Sequence, residues 1–290
     1  MRFFCLKTIL LFTLAIILLT GAGNLAKVQS QPSNLDISTV QFVPPSGSVA
    51  HPGRRQSGAS RGGQCPAVDE PLTALVPTTK RTLDKSSSPL NTYQSAGGLT
   101  VANYPSLWFY NPYALTSKIP LEFVLEDEQG NYIYKTSFTA SGTPPGILRV
   151  GLPSTLNPLV IGKMYHWYFL VNCTPDAPVS VDGWIQRVAT TANLNQIEQE
   201  KPQQQIVDYA TKGIWYNALT ILAEQRLANP KNALTNQGWT SLLRSIGLDA
   251  IASVPLSRCC TLEQKVGEAE KINANQISHS QLPTKTKFAQ

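Results

Sequence analysis

Three histidines, His51, His166 and His279, are all that the 290-residue chain offers for imidazole chemistry. His51 falls in a stretch rich in Gly, Arg, Pro and Ser, and His279 in the C-terminal tail, so no rigid element is expected to hold either. His166 alternates with the apolar face of a strand and is expected to point outward. A Ser-His-Asp site would have to use it, and no strand-to-helix nucleophile elbow accompanies it. Gly-rich phosphate loops, His-Glu-x-x-His pairs and EF-hand patterns are absent from the sequence. The acidic trio Glu126, Asp127 and Glu128 fits a solvated hairpin turn better than a calcium site. Two carboxylates for glycoside hydrolysis can converge from anywhere in a chain, but nothing else supports that chemistry. The expectation is a non-enzymatic protein with no catalytic residues, no cofactor and no metal.

Aromatic side chains are the remaining candidates. Trp108, Tyr110 and Tyr113 cluster beside Pro105 and Pro112, while Tyr132, Tyr134 and Tyr168 lie on expected strands. Such rings join an apolar face to a polar rim, which suits stacking on sugars or burial in a protein interface. The plainer reading makes them the core and margin of a β-sheet fold. Trp215 and Tyr216 likewise read as a seam between helix and sheet.

Cys65, Cys173, Cys259 and Cys260 remain once Cys5, near the N-terminus, is set aside. They lack the paired spacing or histidine partners of a zinc site. An even number in an exported chain reads as disulfides. A bridge between the neighbours Cys259 and Cys260 closes a very small, strained ring. The favoured arrangement therefore turns them apart to meet Cys65 and Cys173 separately. The alternative joins Cys65 to Cys173 and leaves a vicinal or free pair.

Elements that hold these residues follow from the rest of the chain. Arg2 and Lys7 precede an apolar run ending near Thr20, and Gly21, Ala22 and Gly23 follow, so residues 1–23 read as a signal peptide. An uncleaved leader is the one expected route to a membrane. The net charge is +6, but residues 1–64 carry six basic side chains against Asp36 alone, and residues 65–260 carry fourteen of each sign. A neutral body has no basic face for nucleic acid. Residues 24–64 read as a flexible Gly/Arg/Pro/Ser arm.

From residue 65 to 190, short apolar runs alternate with Pro, Gly and Asn. Leu121, Phe123 and Leu125 alternate with Glu122, Val124 and Glu126, and a Gly-containing turn leads to the β-rich run 132–138. Runs near 72–76, 107–110, 147–152, 164–173 and 181–189 bring the total to about seven strands. That density favours a β-sandwich of immunoglobulin or fibronectin-III type. Leu159, Gly162 and Tyr165 have the spacing of a tyrosine corner, in which the hydroxyl bonds back to the preceding loop. Residues 191–204 read as a linker. Helical periodicity then runs from Ile206 to Asn229 and again from about Thr235 to Gly247, giving a helical hairpin region over 205–260. A disordered tail is expected over 261–290.

Several segments carry a family resemblance in fixed order. GRRQSGASRGGQC (53–65), LTALVP (72–77), SLWFYNPY (106–113) and EFVLEDEQGNYIY (122–134) come first. GKMYHWYFLVNC (162–173), GWIQRV (183–188), KGIWYNAL (212–219) and the Cys259-Cys260 pair complete the set. Over residues 50–260 the chain resembles the cyanobacterial domain-of-unknown-function family 928. The resemblance implies an exported protein and supplies no activity and no catalytic residues. Taken together, the sequence points to a mainly β protein with an α appendage in the periplasm or cell envelope. It would act as a binding or assembly module through contacts with an envelope protein partner. The alternative is a carbohydrate-binding module for envelope or extracellular polysaccharide.

Overall fold

A computed structural model describes residues 36–46, 51–58, 65–84, 91–174 and 178–257. Expectations for the leader, His279, Cys259, Cys260 and the tail lie outside the described residues. Among those described are nine strands: β1 (Thr73–Ala74), β2 (Thr78–Asp84), β3 (Asn91–Thr100), β4 (Ser106–Asn111), β5 (Leu121–Asp127), β6 (Tyr132–Phe138), β7 (Gly146–Gly151), β8 (Met164–Val171) and β9 (Val179–Arg187). Four helices follow: α1 (Ala192–Glu198), α2 (Pro202–Thr211), α3 (Trp215–Ala228) and α4 (Ala233–Arg244).

The strands form two sheets, a small one in the order β1-β4-β7 and a large one in the order β2-β3-β9-β8-β5-β6. Every pairing is antiparallel except β3 with β9. Side-chain alternation decides what each face buries. Phe123, Phe169 and Val181 lie directly opposite one another across β5, β8 and β9, all fully buried. Phe109 of β4 stacks on Phe169 at 4.3 Å and meets Trp167 edge-on at 5.5 Å, so the two sheets share one core.

The hairpin β2–β3 raises the strand number above the seven expected. Little apolar periodicity marks β3, whose placement depends on backbone approach. Gly97 has φ +150°, and a Cβ there would sit 2.1 Å from the Trp184 carbonyl oxygen. Only glycine fits that contact.

The expected linker 191–204 is also helical. Thr191 caps α1 by accepting from the Leu194 N–H, and Pro202 opens α2. The long helix expected from Ile206 to Asn229 is two helices, because Gly213 takes φ +76° between α2 and α3. Asn232 caps α4 through the Thr235 N–H.

Packing of α3 removes any division between sheet and helix layers. The Trp108 indole donates to Thr220 at 3.1 Å and the Trp215 indole to the Leu75 carbonyl at 2.8 Å. Asn217 accepts from the Thr100 hydroxyl and the Val101 N–H. The buried Tyr216 hydroxyl accepts from the Trp167 indole at 3.0 Å and donates to the Trp184 carbonyl at 3.1 Å.

Two parts of the expected flexible arm are packed as well. Ile37, Val40 and Phe42 are buried, and Phe42 meets the Trp215 ring edge-on at 5.1 Å. Gly238 of α4 permits the close approach of Ile37, since a Cβ would lie 2.8 Å from the Ile37 carbonyl oxygen. Residues 51–58 form a strap, with bridges from Pro52 to Ser95, Arg54 to Asp182 and Gln56 to Thr73. Polar composition concealed these anchors because three apolar side chains and a run of backbone pairs are enough to order them.

Candidate functional site

The outward face of the large sheet gathers titratable and aromatic side chains that are far apart in sequence. Strand register explains how. Glu126, His166 and Trp184 lie opposite one another on β5, β8 and β9, and Tyr168 lies opposite Asp182. All five occupy alternate positions that turn away from the core.

His166 bridges two of its neighbours. Its Nε2 is 3.1 Å from the Asp182 carboxylate and its Nδ1 is 2.8 Å from the Tyr168 hydroxyl. The Tyr168 hydroxyl also donates to Glu126 over a longer 3.4 Å. Burial pushes the Tyr168 hydroxyl well above its ordinary range, and the negative charges of Glu126 and Asp182 push the same way. This phenol stays protonated and serves as a donor.

The strap completes the cluster. The Trp184 ring meets two imidazoles, stacked on His166 at 4.3 Å and tilted against His51 at 4.4 Å. Its indole N–H donates to the Pro52 carbonyl at 2.9 Å. Arg54 pairs with Asp182 at 3.5 Å and donates to the Ser180 hydroxyl. His51, expected in a flexible arm, is therefore part of an ordered stack. The cluster orients rings and pins the strap to β9.

At the other margin of this sheet, β6 is the terminal strand and carries exposed apolar groups. Tyr132 is 40% and Ile133 39% exposed. The β5–β6 register shifts between Leu125 and Glu126, so Ile133 is the extra residue of a bulge. In the turn, Asp127 accepts from the Gln129 and Asn131 N–H groups and from the Asn131 amide. The Asn131 hydrogen bonds hold the Asp127 carboxyl below its ordinary range. Its oxygens are engaged in shaping the turn.

The candidate surface rings do not come together. Trp108, 1% exposed, and Tyr113, 6%, belong to the core, which corrects their assignment to a binding surface. Their apolar neighbours Leu107, Phe109 and Leu115 draw that segment inward. Tyr110, Tyr134 and Tyr168 are half-buried. Tyr132 alone of the six is exposed. Tyr165 is buried in β8, and its hydroxyl accepts from the Val160 N–H at 2.9 Å. Leu159 is buried beneath this loop, and Gly162 turns it with φ +83°.

Cys65 and Cys173 form a disulfide with each other, with Cα atoms 5.2 Å apart. This overturns the favoured pairing of each with Cys259 or Cys260. Folding brings the start of the small-sheet segment beside the end of β8, a proximity that spacing alone does not encode.

Among the described residues, no group of three or more His, Cys, Asp or Glu side chains could hold a metal ion. Gly58-Ala59-Ser60-Arg61-Gly62 spells Gly-x-Ser-x-Gly, but it follows the extended strap, and Ser60 lies outside the described residues. Sequence reading missed Asp182 and Trp184 as partners of His166, Glu126 as that of Tyr168 and His51 as that of Trp184. The available signal was charge and rings at alternate positions on neighbouring strands, which acquires meaning only once the register is known.

The family model for Domain of Unknown Function (DUF928) matches residues 56–256. No curated protein matches the chain. Among solved structures, a Parabacteroides merdae β-glucuronidase is similar over 40% of this chain and 13% of its own length, at 14% identity and a TM-score of 0.22. The fibronectin type III domain of the human collagen alpha-1(XX) chain is similar over 47% of this chain and 93% of its own, at 10% identity and a TM-score of 0.22.

Proposed function

The chain belongs to the DUF928 family, and we propose that it is an exported, non-enzymatic binding module of the periplasm or cell envelope that engages a protein partner. The observation that carries this reading is the margin of the large sheet at β6, where Tyr132 and Ile133 stand exposed side by side. An exposed aromatic and an exposed aliphatic side chain on a terminal strand offer a partner both an apolar contact and an open strand edge. Export is supported by the N-terminal leader pattern and by the Cys65–Cys173 disulfide, which suits an oxidising compartment. Among the described residues, no helix is long and apolar enough to cross a membrane. The order β1-β4-β7 facing β9-β8-β5-β6, with Tyr165 bonded back to its loop, supports a sandwich of immunoglobulin or fibronectin-III type.

Polysaccharide binding, the competing use of these rings, needs two or three coplanar exposed rings. Trp184 is buried, with two imidazoles already packed against its ring. An open groove of about 510 Å³ between residues 38–41 and α4 is lined by hydroxyl and amide side chains and Arg244, without a ring for a sugar to stack on. Affinity capture from envelope extract tests the partner reading. Wild-type protein should retain a specific partner that a Tyr132→Asp, Ile133→Asp variant loses. Identical captures from the two proteins, or binding to a glycan array alone, would overturn it.

A further inference from the structure

We propose that residues 51–54, the first half of the strap, form a pH-responsive latch that is held on β9 while His166 is neutral and loosened when His166 takes up a proton. The device is independent of the partner reading above.

Five side chains from four elements join in one line across the large sheet. They are Glu126 of β5, Tyr168 and His166 of β8, Asp182 of β9 and Arg54 of the strap. The Asp182 carboxylate is shared, one oxygen lying 3.1 Å from His166 Nε2 and the other 3.5 Å from Arg54 Nε. A carboxylate only accepts, so neutral His166 carries its proton on Nε2 and accepts from Tyr168 at Nδ1. Tyr168 stays protonated and can fill that role. A proton added to His166 goes to Nδ1, which becomes a donor. The Tyr168 hydroxyl must then turn its own proton to Glu126, 3.4 Å away.

Proton uptake also changes the charge beneath the strap. Glu126, Asp182, Tyr168 and the Trp184 ring face His166 from the sheet, Tyr132 of β6 acts on Tyr168, and Arg54 faces it from the strap. With His166 neutral, two carboxylates attract Arg54. A charged His166 competes with Arg54 for Asp182 and repels it, and a charged His51 on the Trp184 ring adds to the excess of cations. The His166 and Asp182 side chains are 17% and 16% exposed, so solvent screens them only in part. Linkage makes the effect reciprocal: a docked Arg54 opposes protonation of His166, and protonation opposes docking equally.

Little else holds this half of the strap. His51, Pro52 and Arg54 are exposed, so no apolar side chain anchors them in the core. Gly53 donates to the Gln94 carbonyl, Arg54 and Asp182 exchange backbone hydrogen bonds, and the Trp184 indole donates to the Pro52 carbonyl. The second half is fixed elsewhere, by Arg55 donating to the Ile246 carbonyl and by the buried Ser57, whose N–H donates to the Leu72 carbonyl.

Amide hydrogen exchange of the full chain between about pH 8 and pH 5, the range in which imidazoles change charge, tests the latch. Rates are read as protection factors, which remove the intrinsic pH dependence of exchange. Protection of the Arg54 and Asp182 amides should fall by about fivefold or more on acidification, while Ser57 holds. His166→Gln should keep the protection at pH 8 and lose most of its pH dependence. Arg54→Gln, at an exposed side chain, should start from lower protection and also respond less, which keeps the test open if His166→Gln perturbs folding. Unchanged protection in the wild type, an equal fall at Ser57, or an undiminished fall in the variants would overturn the proposal.

Discussion

Replacing Tyr216 with Phe removes one oxygen and tests whether helices and sheets form a single cooperative unit. The hydroxyl is buried between α3 and the large sheet, accepting from Trp167 at 3.0 Å and donating to the Trp184 carbonyl at 3.1 Å. Burial raises its pKa far above the ordinary phenol range, so it remains a neutral donor and acceptor. Phe keeps the ring and leaves no large cavity. The loss is confined to two hydrogen bonds, which leaves the Trp167 indole N–H and the Trp184 carbonyl without this buried partner. At about 1–3 kcal/mol for each group, a loss of roughly 2–6 kcal/mol is expected. For a body of this size that corresponds to a fall in Tm of roughly 4–24 °C. Urea denaturation should be followed by far-ultraviolet circular dichroism and by tryptophan fluorescence. The two transitions should coincide and shift together. A double-mutant cycle with Trp167→Phe should reveal coupling of about 0.5 kcal/mol or more. A loss below about 0.5 kcal/mol, or a helical transition separate from the sheet transition, would refute the shared core.

Other perturbations bear on the same architecture. Gly183→Ala places a Cβ 2.5 Å from the Trp167 ring and 2.7 Å from the Ala96 carbonyl oxygen, so a loss of about 1–3 kcal/mol or more is expected in urea melts. Gly58→Ala, which meets open space, should change stability by less than about 0.5 kcal/mol. Cys65 and Cys173 are separated by 108 residues, so replacing both with Ser should cost up to about 4.7 kcal/mol in the chain-entropy limit. A non-reducing peptide map should recover those two cysteines linked to each other, and linkage of either to Cys259 or Cys260 would contradict the fold. Burial, reinforced by Glu198 and Glu200, pushes the Tyr209 hydroxyl from 10.0 up to about 12. Its folded pKa is raised, so its stabilising contribution is complete below about pH 10 and declines as pH rises towards 12. Phenolate absorbance should then appear together with unfolding in that window, and full Tyr209 ionisation in a folded chain would contradict its burial.

Local patterns in the sequence go a long way where one residue's neighbours decide its fate. Leu121, Phe123 and Leu125 on β5, and Tyr165, Trp167 and Phe169 on β8, declare a buried face by alternation alone. The turn at Asp127 to Gly130 and the stop at Asn229-Pro230 are equally local. Other features depend on contacts that composition cannot express. β3 is fixed by the approach of Gly97 to the Trp184 backbone, and residues 37–42 by a vacancy at Gly238. The seven-residue α1 depends on one Thr191 cap and hides among polar side chains. Strand register brings Glu126, His166 and Trp184 into line, and the strap adds His51. Trp108 stays open between core and surface in the sequence because nothing nearby announces Thr220 as its partner.

The partner-binding account can be tested most directly by placing a photo-crosslinking amino acid at position 132 in cells that make the full chain. Position 160, in the exposed loop before β8, serves as the control because Val160 is more exposed than Tyr132 and lies outside β6. The account predicts a discrete protein adduct from position 132 that is absent from position 160. No adduct at position 132, or the same adducts from both positions, would contradict it.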